Sequence, residues 1–136
     1  MSPSSKTGTI EQEIDILDAT PHDVFELLMD AKQHAALTGG EAKISRKVGG
    51  AFIVFDGWAS GVQRELVQDA TIVQTWRADD WPEGNMSTCT YRFQSIPGGT
   101  RIHFLQTEVP KSFVKTVGKG WHQYYWKPMQ KMFTKS

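Results

Sequence analysis

Chemistry in this chain of 136 residues would have to start from few side chains. Cys89 is the single cysteine, and the histidines are His22, His34, His103 and His122. One cysteine excludes an internal disulfide and a cysteine-based zinc cage. The histidines show neither the His-x-His nor the i, i+4 spacing of a metal site. A reactive thiol needs an electropositive, partly exposed setting with a base in reach. Cys89 instead falls mid-strand on the face of Tyr91 and Phe93, which makes it an inert buried thiol. Asp79-Asp80, just before Trp81-Pro82, reads as a solvated turn. No Gly-x-Ser-x-Gly elbow, phosphate-cradling loop or paired-carboxylate helix is present. The expectation is a protein without catalytic residues, metal ligands or a cofactor.

Binding is better supported than catalysis. Period-2 alternation puts Ile72, Gln74 and Trp76 on one strand face, Cys89, Tyr91 and Phe93 on the next, and Ile102, Phe104 and Gln106 on a third. These faces should meet a closing helix, yet Gln74 and Gln106 fall among them. A buried amide without a partner costs on the order of 1–3 kcal/mol. Water, a ligand or mutual pairing must satisfy the two. A filled core and an apolar cavity with polar anchors both remain open. The expectation carried forward is a cavity between helix and sheet. Phe52, Val54, Ile72, Trp76, Tyr91 and Phe104 would line its sheet side, and Gln74 and Gln106 would be its anchors. Trp121 and Tyr125 would close it, with Tyr124 beside them.

The elements that must position these residues follow from the pattern. Thr9 to Asp18 alternates as a strand. Thr20 caps a helix with Pro21 at its first position and Asp23 at its positive end. A second short helix runs from about Ala31 to Leu37 and stops at Gly39-Gly40. Strands then follow over Ala42–Lys47, Ala51–Asp56, a stretch ending near Val67, Ala70–Arg77, Met86–Ile96 and Thr100–Val109. Pro97-Gly98-Gly99 makes the last hairpin turn. After Pro110 the period becomes helical. Phe113, Val114, Val117, Trp121, Tyr124, Tyr125 and Pro128 share one face, and Lys111, Lys115, Lys119, His122 and Gln123 the other. Pro128 should kink this helix, and Trp126, Met129 and Phe133 form a second apolar stripe that the kink could turn inward. The fold class is α+β: a curved antiparallel sheet gripping a long C-terminal helix, with two short helices after the first strand.

Lysine plus arginine and aspartate plus glutamate each number 15, so the net charge is zero, and the excess positive charge that a general nucleic-acid binder needs is absent. The balance hides a polarity. Residues 111–136 hold six lysines and no acid, whereas the first 110 hold nine basic and fifteen acidic side chains. Such a field can steer an acidic partner. The exposed features expected to meet one are Lys115, Lys119 and Lys127 with the Trp81-Pro82 loop. Residues 1–8 are small and polar, with no signal-peptide core behind them, and read as a flexible arm. No run is long enough to span a membrane. Residues 9–136 read as one soluble, cytoplasmic domain.

Several segments, in this order, resemble the C-terminal domain family of the activator of heat-shock protein 90 ATPase, within the START-like, helix-grip superfamily. They are Gly49-Gly50-Ala51-Phe52, Asp56-Gly57, Ile72 to Arg77, Trp81-Pro82-Glu83-Gly84, Gly99-Thr100, Val109-Pro110 and Gly120 to Tyr125. The likeness covers Thr9 to Phe133. It implies the helix-grip fold, a hydrophobic pocket and a heat-shock protein 90 chaperone as partner. Full members carry a further N-terminal domain, for which this chain has no room. The alternative is a stand-alone carrier of a small hydrophobic ligand, and a more distant one is a cyclase or hydrolase of the same superfamily.

Overall fold

The computed structural model describes residues 6–133. Alternating Ile10, Ile14 and Ile16 bury one face of strand β1 (Thr7–Leu17). β1 begins inside the segment expected as an arm, because Thr7 faces Pro110 and Gly8 faces Val109 across the ladder. Residues 1–5 of that arm lie outside the described residues.

Helix α1 (Pro21–Met29) starts on a reciprocal cap. Thr20 Oγ1 accepts from the Asp23 N–H at 3.1 Å, and the Asp23 carboxylate accepts from the Thr20 N–H at 2.9 Å. Asp30 caps helix α2 (Ala31–Thr38), and Gly39 ends it at φ 81°, a conformation only glycine adopts without cost.

The remaining strands are β2 (Lys43–Ile44), β3 (Ala51–Val54), β4 (Ala59–Val67), β5 (Thr71–Ala78), β6 (Ser87–Ile96) and β7 (Gly99–Pro110). They form one seven-stranded sheet in the order β1-β7-β6-β5-β4-β3-β2, antiparallel throughout. Two strands are shorter than the pattern suggests. β2 stops at Ile44 because Lys47 to Gly50 close a turn, with the Gly50 N–H donating to Lys47 O. β3 stops at Val54 because Phe55, Asp56 and Gly57 all take positive φ, at 54°, 58° and 99°. Gly61 lets β4 approach β5, since a Cβ there would collide with the Thr75 carbonyl.

The chain closes with helix α3 (Val114–Trp121), a π turn (His122–Trp126) and helix α4 (Lys127–Phe133), which run on as one long helix. Pro128 explains the π turn. A proline ring clashes with the carbonyl four residues back and brings no N–H. The turn before it widens, and the Lys127 N–H donates to His122 O, five residues back. Each residue of a wider turn rotates less than the 100° of an α-helix, so the apolar face is re-phased. Tyr124, expected inside, is 46% exposed, while Trp126 and Met129 are buried. Trp126 stacks on Trp121 with ring centroids 5.7 Å apart. The second apolar stripe is thus turned inward as the kink allowed. Among the described residues no helix is long and apolar enough to cross a membrane.

Candidate functional site

The space between helix and sheet is filled with rings. Trp121 sits 4.5 Å from Phe104 and 4.6 Å from Tyr125, centroid to centroid, and Tyr91 lies 5.1 Å from Phe104. The amides close on protein partners. Gln74 Nε2 donates to Gln63 Oε1 at 3.0 Å, the Tyr91 hydroxyl donates to Gln74 Oε1 at 2.9 Å, and Gln63 Nε2 donates to Ser45 O at 3.2 Å. The Trp121 indole N–H donates to Gln106 Oε1 at 2.8 Å, and Gln106 Nε2 donates to Ser87 Oγ at 2.9 Å. Ser87 in turn donates to Trp76 O. These bonds meet the amides' need for partners, so the glutamines no longer call for a ligand.

What remains is a void of about 20 Å³, room for about one water molecule. Phe52, Val54, Ile72, Gln74, Trp76, Tyr91 and Tyr125 border it, while Phe104, Gln106 and Trp121 do not. This corrects the expected ligand-sized cavity: the core is packed and its glutamines bond within the protein, while His34 Nδ1 and Trp81 Nε1 find no partner among the described residues. Gln63, Ser87 and His34 complete the packing, and the sequence reading does not single them out. Gln63 shares the inward alternation of Ala59 on β4, and His34 stands three residues before buried Leu37 on α2, so both had a signal.

His34 Nε2 is 2.7 Å from the Tyr125 hydroxyl, and the two rings pack edge to face. Burial lowers the His34 pKa to about 4, so the ring is neutral at pH 7. Burial also pushes the Tyr91, Tyr125 and Cys89 groups up. Cys89, fully buried, is therefore an un-ionised thiol rather than an activated nucleophile. His22, His103 and His122 are at least partly exposed.

A real groove opens beside this core. Its volume is about 560 Å³, within the range of small-molecule pockets, roughly 300–1,000 Å³. The C-terminal end of α2 through Gly40, the turn from Phe55 to Trp58 and the exposed flank of α3 form its walls. Trp76, Trp121 and Tyr125, three of the expected cavity residues, reach it from the core side. Phe55 holds a positive φ that is costly for a bulky residue. Its ring packs edge to face on Trp58, Tyr124 and Tyr125 with centroids 5.6–5.9 Å apart, which offsets that cost. Sequence reasoning missed Phe55, Trp58 and Phe113 as groove residues because turns, not alternating strands, place them.

The lysine face is exposed as expected at Lys115, Lys119 and Lys127. Lys115 and Lys119 border a shallow trough against Thr9 to Gln12, and Lys119 and Lys127 border another with His122. Trp81 is a correction. It is only 4% exposed, packs 5.4 Å from Trp76 and 6.2 Å from Phe113, and cannot offer its ring to a partner. Arg77 holds the loop from beneath by donating to the Trp81 and Pro82 carbonyls at 2.9 and 3.3 Å, and Pro82 alone of the pair is exposed.

A curved antiparallel sheet on one long C-terminal helix, with two short helices after β1, defines a helix-grip, START-like protein. Within that class, residues 18–134 match the family model described as Activator of Hsp90 ATPase homolog 1-like protein, and the chain belongs to that family. It is 29% identical over 121 residues to the activator of 90 kDa heat shock protein ATPase homolog of Dictyostelium discoideum, covering 88% of this chain and 30% of that protein. It is 28% identical over 114 residues to human activator homolog 1, covering 84% of this chain and 34% of the human protein. The chain thus spans about a third of the length of these relatives. The crystal structure of an HSP90 activator from Plasmodium falciparum superposes with a TM-score of 0.83 at 26% identity, covering 91% of this chain and 94% of that one. The Aha1 dimer from Colwellia psychrerythraea shares the fold, with a TM-score of 0.78 at 15% identity and 93% and 96% coverage.

Proposed function

We propose that this domain is a non-enzymatic, co-chaperone-like module that contacts a heat-shock protein 90 ATPase in the cytoplasm, using the lysine face of its C-terminal helix. The observation that carries this reading is that face itself. Lys115, Lys119 and Lys127 are exposed on an acid-free segment, and none forms an ion pair among the described residues. Unpaired surface lysines raise association rates with an acidic partner. Family membership makes the chaperone the natural candidate. Pro82 is the second exposed feature that could join the contact.

Titration of the purified domain into the chaperone at low and high salt tests this. The Debye length is about 8 Å at 0.15 M salt, so raising salt several-fold should slow association. Reversing Lys115, Lys119 and Lys127 to Glu should lower the association rate by about tenfold or more and weaken ATPase stimulation. No binding at low salt and high concentration would end this reading. A second reading, a binder of a small, largely hydrophobic ligand, is favoured by one observation: the aromatic groove of about 560 Å³. The filled core does not support it.

A further inference from the structure

We propose that the groove beside the C-terminal helix binds a small organic cation with an apolar or aromatic body. The inference rests on the second functional reading and adds the charge of the ligand. Seven of its sixteen lining residues are aromatic, and Phe55, Trp58 and Tyr124 stand on its open side. Ring faces carry a negative quadrupole and attract a cation that lies against them. Among the described residues, the groove's only charged groups are two carboxylates, Asp56 and Asp80, and no Lys, Arg or His lines it. Neither aspartate is in an ion pair among the described residues. Asp56 is also fixed in place, since its Oδ1 accepts the Glu41 N–H at 2.7 Å. The positive charge of the long helix lies elsewhere, along the troughs at Lys115, Lys119 and Lys127.

Three classes of occupant can be weighed against this wall. An anion would meet two carboxylates and no counter-charge. A neutral hydrophobic ligand would fill the aromatic space and gain nothing from Asp56 and Asp80, which stand exposed at the groove's rim. An organic cation such as a quaternary or protonated amine fills the aromatic space and neutralises the rim at once. The hydroxyls of Ser112 and Thr116 add donors and acceptors without net charge.

Calorimetry with three probes of one shape tests the proposal: para-hydroxyphenyl-trimethylammonium, para-tert-butylphenol and para-hydroxybenzenesulfonate. The cation should bind about tenfold tighter than its neutral isostere at low salt, and the sulfonate should not bind. The double variant Asp56→Asn, Asp80→Asn should shrink the cation's advantage over the neutral probe to what the rings alone supply, and an unchanged tenfold gap would show that the carboxylates play no part. The amide introduced by Asp56→Asn keeps an acceptor for the Glu41 N–H, and asparagine tolerates positive φ; circular dichroism of the variant checks that the fold is retained. If the neutral phenol binds the wild-type protein as tightly as the cation, the charge inference is wrong while a groove ligand stands. If neither the cation nor the phenol binds, the inference and the second functional reading fall together.

Discussion

Trp121 and Trp58 stand on either side of Trp76, each with its ring centroid 5.7 Å away, and they belong to different kinds of place. Trp121 is 3% exposed, its indole N–H is satisfied by Gln106, and rings surround it. Trp58 is 42% exposed and faces a groove with two aspartates. Aromatic content alone does not separate a core from a binding surface. What separates these two tryptophans is whether the amide, hydroxyl and carboxylate groups beside them are closed by protein. Gln63, Gln74, Gln106 and Ser87 are; Asp56 spends one oxygen on the chain and presents a carboxylate to the groove.

The largest test of the contrast is Trp121→Ala. Removing a fully buried tryptophan costs about 3–5 kcal/mol, and here it also strips Gln106 Oε1 of its donor. Urea melts should show the midpoint fall with little change in slope. A melt that overlays the wild type would place Trp121 outside the core.

A smaller effect should come from pH. The His34 pKa is lowered to about 4 by burial, against about 6.5 in an unfolded chain. Between these values the unfolded state binds the proton and the folded state does not. Stability should therefore be intact above pH 6.5, decline as the pH falls, and lose about 3 kcal/mol from this group by pH 4. His22 runs the other way. Its hydrogen bond and charge contact with Asp69 raise its pKa, so its contribution is present at low pH and is lost as the pH rises through the folded value. Both side chains of that pair are well exposed, at 59% and 36%, so solvent screens it and His34 sets the slope. Melts from pH 7 to 4 on the wild type and on His34→Phe check this. The variant should be less pH-dependent across that window, and an equal slope in both would show that His34 is not the titrating group.

Much of this is legible in the sequence. The capped start at Thr20-Pro21, the stop at Gly39, the alternation of β5, β6 and β7 and the inward Gln74 and Gln106 follow from period and turn chemistry. The filled core does not, because alternation says which face a glutamine occupies and not which partner it finds. Gln74 needs Gln63, eleven residues earlier across a bulged ladder, and Gln106 needs Ser87 on the neighbouring strand. The exposure of Tyr124 and the burial of Trp126 hang on a π turn that an ideal helical wheel cannot represent. Trp81 looks like a loop residue by its neighbours Asp80 and Pro82, yet its ring turns inward onto Trp76. The groove is hidden for a related reason: positive φ at Phe55 and Asp56 aims their side chains, and that conformation has no sequence period.

The smallest expected effect is the most informative about the groove. Trp58→Ala removes two edge-to-face contacts, with Phe55 and Trp76, from a ring already 42% exposed. Such pairs contribute about 0.5–1.5 kcal/mol each beyond burial, so the two sum to about 1–3 kcal/mol, and the half-open site puts the cost at the low end of that range. Urea melts of Trp58→Ala beside Trp121→Ala give the ratio directly. A cost several-fold smaller for Trp58 means its ring is held out to solvent for binding rather than for folding, and the cationic probe should then lose affinity in that variant. Equal costs at the two positions would mean that the rings around Phe55 are an extension of the core, and the groove's aromatic wall would be packing seen from its edge.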